Sequence, residues 1–122
     1  MPSPSKRKPR EVNVLFTSAG RRVELLRAFR RAYHSLGLKG KILVTDIQPL
    51  APAFQVADSA FVLPRLNDPS YVPSLLEIVR LQRVTLVFPL IDPDIPILAA
   101  HSDDFANAGA KVMTPPASGM YR

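Results

Sequence analysis

Short apolar, β-forming runs alternate with longer segments over residues 12–114, and this alternation constrains the fold more than any other feature of the sequence. The five runs are VNVLFT, KILVT, AFVL, TLVFP and KVMT, at residues 12–17, 41–45, 60–63, 85–89 and 111–114. Strands that alternate with helices join as right-handed βαβ units. The pattern therefore predicts an α/β, Rossmann-like three-layer domain. Its parallel sheet of about five strands would have the order 3-2-1-4-5.

The segment after the first run has the apolar period of a helix, predicted over residues 20–36 and ending at a Gly37 C-cap. The residues predicted to face the core are Leu25, Phe29, Ala32 and Leu36. Two Asp-Pro pairs, at 68–69 and 92–93, predict the starts of later helices, because aspartate caps a helix and proline suits its first position. The last helix is predicted to continue through Phe105.

Composition excludes several classes of site. The chain has no cysteine, which excludes disulfides, cysteine-based zinc sites and thiol catalysis. His34 and His101 are far apart in sequence, so we expect no metal site. No apolar run approaches the roughly 20 residues that cross a bilayer, and no signal-peptide stretch precedes Glu11. We therefore expect a cytoplasmic protein without a membrane segment.

The net charge of +6 is concentrated at the N-terminus. Four of the cations lie in MPSPSKRKPR, and the rest of the chain holds 12 basic and 10 acidic residues. Residues 1–11 are predicted to be a disordered basic tail, because they cannot bury apolar area. Nucleic-acid binding by this tail is not favoured, since no aromatic residue is interleaved with the charges. Residues 12–114 would form the domain, and 115–122 a C-terminal tail or truncated linker.

The turn after the first strand is the strongest candidate site. Ligands of open parallel sheets bind beyond the carboxyl ends of the strands, where strand order reverses, and the first strand occupies that point. Small residues and helix N–H groups would admit an anion, and two guanidinium groups would hold it. The candidate residues are Ser18, Ala19, Gly20, Arg21 and Arg22. The alternative is a tight turn followed by solvated arginines, and the sequence leaves both readings open.

Three acidic residues follow other strands of the same sheet. Asp46 ends the second strand, and Asp92 and Asp94 follow the fourth. With the arginines they would give a pocket of mixed charge, which suits a zwitterionic or amine-bearing ligand or a nucleotide hydroxyl. Asp46 is equally explained as a turn residue, and Asp92 and Asp94 are more often helix-start residues than ligands. No Ser/His/Asp arrangement or pair of glutamates indicates a catalytic residue. The first turn has one glycine where a dinucleotide fingerprint has three.

Three stretches of the sequence, which together span most of residues 12–114, resemble a known family. They are VNVLFTSAGRRVELLRAF, TDIQPLAPAFQVADSAFVLPRLNDPSYVPSLLEIV and LVFPLIDPDIPILAAH. They are similar to the N-terminal, pre-ATP-grasp domain of ATP-grasp ligases, and most of all to the carbamoyl-phosphate-synthase-like proteins. The ordered succession of TSAGRR, an acidic crossover, DPSY and PLIDP carries the resemblance.

The resemblance implies one part of a larger enzyme. In the family, this domain helps to bind a carboxylate or amine substrate, while further domains hold ATP and Mg²⁺ and activate the carboxylate as an acyl phosphate. The residues that hold ATP and Mg²⁺ would lie beyond the equivalent of position 122. We therefore expect this chain to bind neither cofactor by itself and to need ATP-grasp domains in the same or another chain. A stand-alone module that binds a nucleotide or nucleotide-sugar is the alternative, and a homodimer is a further expectation.

Overall fold

The computed structural model describes residues 11–114, and its five-stranded parallel sheet has the predicted order β3-β2-β1-β4-β5. The strands are β1 (Val14–Thr17), β2 (Ile42–Asp46), β3 (Ser59–Val62), β4 (Leu86–Pro89) and β5 (Lys111–Val112). The central strand β1 pairs with β2 on one side and β4 on the other, so that Val14 lies opposite both Ile42 and Leu86. The prediction of an α/β fold with this strand order is confirmed.

Four helices and one short 3-10 helix connect the strands. They are α1 (Val23–Leu36), the 3-10 helix Pro52–Gln55, α2 (Tyr71–Leu81), α3 (Asp94–Ala100) and α4 (Ser102–Asn107). The 3-10 helix lies in the proline-containing crossover between β2 and β3. Glu11 forms an isolated parallel bridge with Lys39. The rest of the predicted N-terminal tail and the predicted C-terminal tail lie outside the described residues.

Alternation along the strands divides the core between the two faces of the sheet. Val14 and Phe16 of β1 pack with α1 and the 3-10 helix, whereas Leu15 packs with α2, α3 and α4. All three side chains are almost fully buried. Because β1 is covered on both faces, its sequence is apolar from Val14 to Phe16, as is typical of a central parallel strand. Thr17 is the next residue on the Leu15 face, and it is the buried polar position that leads to the candidate site.

The prediction of which α1 residues face the core is wrong for the last part of the helix. Leu26 and Tyr33 are the buried residues of this helix, and Phe29 is half-buried between them. Ala32 is exposed, and Leu36 is 70% exposed although both fit the helical period. Leu36 is the last residue of the helix, and the left-handed C-cap at Gly37 turns the chain away immediately after it. A periodic pattern does not show where the surface that a helix covers comes to an end.

The last predicted helix is divided in two. At His101 the backbone departs from helical geometry, with φ −109° and ψ 19°, and the chain resumes as α4. Both pieces keep apolar residues on the core side, through Leu98 and Phe105, so the period alone does not reveal the break. The start of α2 is also later than the Asp-Pro signal: Tyr71 is its first residue, and Pro73 therefore lies in the first turn, where a missing N–H removes no helical hydrogen bond.

Candidate functional site

A cavity of about 610 Å³ lies at the carboxyl edge of the sheet, which is where the topology predicts a ligand site. It is bounded by the ends of β1 and β2, by the segment 63–67 that follows β3, and by Ile91 after β4. We call it the edge cavity. Strands β1 and β2 both end in turns at this edge. The residues at these strand ends therefore line the cavity.

Most of the edge cavity is apolar, with a small number of polar groups. Its aliphatic wall includes Ile47, Leu63, Pro64, Leu66 and Ile91. The polar residues of the lining are Ser18, Thr45, Asp46, Arg65 and Asn67. An apolar body with few polar groups is typical of small-molecule sites. Of the charged side chains in this lining, one is acidic and one is basic.

Asp46 connects the two turns that form the cavity. Its Oδ1 accepts a hydrogen bond from the Gly20 N–H at 3.2 Å, and its Oδ2 accepts one from the Gln48 N–H at 3.0 Å. The Asp46 carboxylate therefore caps the turn after β1 as well as its own turn. Each carboxylate oxygen keeps a further lone pair, because an ionised carboxylate has about four acceptor positions. The structural role and a ligand-binding role are thus compatible.

The turn after β1 is held on several sides. The Ala19 N–H donates to the Thr45 carbonyl at 3.0 Å, and the Ala53 N–H donates to the Gly20 carbonyl at 2.9 Å. Ala19 is fully buried and does not reach the edge cavity. Ser18 has a φ of 52°, in the left-handed region that non-glycine residues seldom adopt. Such backbone geometry is often found at binding sites, and Ser18 is in the cavity lining.

The two arginines of the first turn lie outside the cavity lining. Arg21 and Arg22 are both exposed, and the Arg22 Nη2 donates to the Leu90 carbonyl at 3.4 Å. Arg65, which follows β3 and is exposed as well, is the arginine of the lining instead. Among the described residues, Arg65 forms no ion pair. Anion binding by Arg21 and Arg22 stays a prediction.

The two later acidic candidates occupy different environments. Asp92 is exposed and lies outside the lining, so ligand binding by it stays a prediction. Asp94 is fully buried on the Leu15 face of the sheet. Its Oδ2 accepts from the Thr17 hydroxyl at 2.7 Å, and its Oδ1 accepts from the Tyr71 hydroxyl at 3.3 Å. Asp94 therefore joins the start of α3 to the end of β1 and the start of α2.

Tyr71 is part of the edge cavity and also the partner of the buried carboxylate. Burial, followed by the charge of Asp94 and the hydrogen bond to it, raises the pKa of Tyr71 far above its ordinary value. The hydroxyls of Thr17 and Ser18 lie close enough to act on this pKa in the opposite direction. The phenol is consequently a neutral hydrogen-bonding group over the physiological range.

The sequence reasoning missed Tyr71, Arg65 and the apolar segment around them. The rule that pointed to Asp46 would also have found the segment 63–67, because it follows a third strand of the same sheet. The DPSY motif would have indicated that Tyr71 begins a helix, but not that it reaches β1. The contact between Tyr71 and Asp94 joins residues 23 positions apart and has no local signal.

Within residues 11–114, no group of three or more histidine, aspartate or glutamate side chains is placed to hold a metal ion. No helix in the same range has the length and apolar character needed to span a bilayer.

Comparisons with known proteins agree with the fold. Residues 14–113 match the family described as PylC-like, N-terminal domain. No curated protein matches the chain significantly. Eighteen chains of solved structures do, among them a Rhizobium etli pyruvate carboxylase with the allosteric activator acetyl coenzyme A. That pair has a TM-score of 0.55 and 17% identity over 86% of this chain, which shows a common fold.

The structural match and the family match differ in how much of the matched protein or domain they cover. This chain covers 10% of the pyruvate carboxylase chain, so it corresponds to a small part of that protein. The family match, in contrast, extends from the first residue of β1 to one residue past β5. The whole described sheet is therefore the matched unit. On that ground, the chain belongs to the PylC-like N-terminal domain family, a pre-domain of the ATP-grasp enzymes.

Proposed function

We propose that this chain is the substrate-side N-terminal domain of an ATP-grasp carboxylate–amine ligase. The edge cavity would hold part of a small zwitterionic substrate. The observation that carries this proposal is that Asp46 and Arg65 both line one largely apolar cavity, at the edge of the sheet where open parallel sheets bind ligands. Family membership supports the ligase class, and the cavity supports a substrate role for this domain.

The charged groups suit the two ends of such a substrate. The Arg65 guanidinium presents forked donors that match a carboxylate, and Asp46 has acceptor positions for an ammonium group. Neither side chain forms an ion pair with another described residue. The aliphatic wall would contact the apolar part of the ligand between its two charged ends. Binding would thus orient the ligand before any reaction begins.

ATP and Mg²⁺ would supply the activation of the substrate carboxylate, and both would be held by ATP-grasp domains in the same or another chain. The part played by this chain is to bind and orient the substrate. A carbamoyl-phosphate-synthase-like specificity, a homodimer and a cytoplasmic location stay predictions.

The binding role can be tested by NMR titration of the ¹⁵N-labelled 122-residue chain with γ-aminobutyrate as a zwitterionic probe. We expect shifts at the amides of Gly20, Ile47 and Leu66, and their loss in Arg65→Ala. Arg80→Ala is the matched control, because Arg80 is an exposed arginine on α2 that lies outside the cavity lining. Equal binding by both variants, or shifts confined to β5, would contradict the proposal.

A second measurement separates the ligase domain from a stand-alone nucleotide module. The same chain is titrated with ATP, NAD and a nucleotide-sugar, and ATP hydrolysis is followed in the presence of Mg²⁺. We expect no hydrolysis and no shift at the cavity amides with any nucleotide. Shifts at Ser18 and Gly20 with NAD or the nucleotide-sugar would favour the alternative module.

A further inference from the structure

The buried carboxylate of Asp94 sets the direction of every hydrogen bond around it. Asp94 has no exposed surface, and none of the described basic residues forms an ion pair with it. The Thr17 and Tyr71 hydroxyls both donate to its carboxyl oxygens, at 2.7 and 3.3 Å. Their single hydroxyl protons are used in these two contacts.

The same contacts leave oxygen lone pairs on the cavity side. Once Tyr71 has donated to Asp94, its phenol oxygen can only accept from other groups. Tyr71 belongs to the lining, together with Ser18 directly after β1. The wall at the end of β1 therefore includes the phenol oxygen as an acceptor.

The acidic and basic side chains around the cavity agree with this arrangement of acceptors. Asp94 lies behind the β1 end, and Asp46 lies in the lining next to Gly20. Arg65, on the opposite bounding segment after β3, is the basic residue of the lining in the described chain. The β1 end is therefore the electronegative end of the cavity.

We infer that Asp94 is a positioning residue that fixes the Tyr71 phenol oxygen as an acceptor, so that the cavity selects an amine at its β1 end. The carboxylate end of the same ligand then lies toward Arg65. This inference rests on the proposed function, because it assigns the orientation of the substrate in the same cavity. Asp94 itself does not touch the ligand.

The test compares butylammonium with butyrate, two probes of similar length that carry opposite charges. The dissociation constant of each is measured by NMR on the whole 122-residue chain, from the shifts of the Ser18 and Gly20 amides. We expect the unchanged chain to prefer butylammonium. In Asp94→Asn the side-chain amide donates where the carboxylate accepted, so the preference should fall by about tenfold. A merely structural role would weaken both probes alike and leave their ratio unchanged.

Tyr71→Phe gives a second variant, which should also lower the preference because the acceptor itself is removed. Tyr33→Phe is the matched control, since Tyr33 is a buried tyrosine on the other face of the sheet whose hydroxyl donates to the Val12 carbonyl. The preference of Tyr33→Phe for butylammonium over butyrate should stay unchanged.

Two results would overturn the inference. If γ-aminobutyrate binds in the edge cavity but Asp94→Asn and Tyr71→Phe both keep the ratio, or the unchanged chain prefers butyrate, the orientation is wrong and the proposed function stands. If no probe shifts the Ser18 and Gly20 amides, the inference and the proposed function fail together.

Discussion

Asn13 connects three segments of the chain through one buried side chain. Its Nδ2 donates to the carbonyls of Gln82 and Arg83 at 3.2 and 3.1 Å, and its Oδ1 accepts from the Lys41 N–H at 2.8 Å. The side chain is only 6% exposed. It therefore fixes the entry into β1 relative to the end of α2 and the start of β2, with two donors and one acceptor in use.

Replacing Asn13 by aspartate keeps the shape but removes the two donors. Asn13→Asp would place a buried carboxylate oxygen against two carbonyl oxygens. We expect the free energy of unfolding, measured in urea, to fall by about 3 kcal/mol. The control is Asn107→Asp at an exposed position of α4, which should change it by about 0.5 kcal/mol or less. Equal losses would show that the buried contacts contribute little.

Gly40 precedes β2 at a point where the backbone of the β1 entry comes very close. Its φ is 136°, and a Cβ there would lie 2.0 Å from the Val12 carbonyl oxygen. We expect Gly40→Ala to lower the free energy of unfolding by more than about 3 kcal/mol, because strain and a backbone clash add together.

Gly37 separates the strain of a positive φ from the clash of a Cβ with neighbouring backbone. Its φ is 66°, but a Cβ there meets no atom within 4 Å. Gly37→Ala should therefore cost only about 1 kcal/mol. If urea unfolding gave the two variants similar losses, the clash at Gly40 would have to be relieved by a small shift of the chain.

At the scale of elements, three aromatic rings hold α1 to the centre of the sheet. Phe16 of β1 lies with its ring centroid 4.8 Å from that of Phe29 in α1 and 5.2 Å from that of Phe88 in β4. Phe29 and Phe88 are 5.5 Å apart. These separations fall in the range in which aromatic pairs add to simple burial. The helix is thus attached through Phe29, near its middle, and not through Leu36 at its end.

This attachment can be measured by shortening one side chain at a time in α1. Phe29→Ala should lower the free energy of unfolding by about 3 kcal/mol, through lost burial and lost ring contacts. Leu36→Ala, on the same helix, should lower it by about 0.5 kcal/mol or less, because Leu36 is already 70% exposed. A larger loss at Leu36 than at Phe29 would contradict the observed orientation of α1.

At the scale of the whole molecule, stability should fall at alkaline pH because of Tyr71. In the unfolded chain this phenol titrates near its ordinary pKa of 10.0, whereas in the folded protein burial and Asp94 raise its pKa. Above pH 10 the folded state therefore keeps a proton that the unfolded state has lost. The stabilisation is complete below that pH and is lost as the pH rises toward the folded pKa, by at most about 1.4 kcal/mol per pH unit.

Urea unfolding at about pH 9 and about pH 11 measures this loss. Tyr71→Phe should reduce the difference between the two free energies, whatever its effect on stability at neutral pH. Tyr33, whose pKa is also raised by burial and by Asp58, gives the comparison variant Tyr33→Phe. An unchanged pH dependence in Tyr71→Phe would show that the phenol titrates normally in the folded chain.

The sequence by itself determined the α/β class, the strand order and the edge of the sheet at which the cavity lies. These follow from local patterns: apolar runs for the strands, helical period, Asp-Pro starts and glycine ends. The strand order was predicted as the common order of doubly wound sheets, whose βαβ connections are right-handed. The Ser18–Gly20 turn and Asp46 could be placed at the cavity for the same reason, since each directly follows a strand.

Only the tertiary structure decided which side chains enter the cavity. Arg21 and Arg22 follow the turn in sequence but lie outside the lining, whereas Arg65 comes to it from a different strand. Asp94 fits a helix-start position in sequence, yet it is buried against Thr17, 77 residues away. The physical reason is that hydrogen bonds and burial depend on distances between segments, and a local pattern carries no information about side chains that meet only after the sheet has formed.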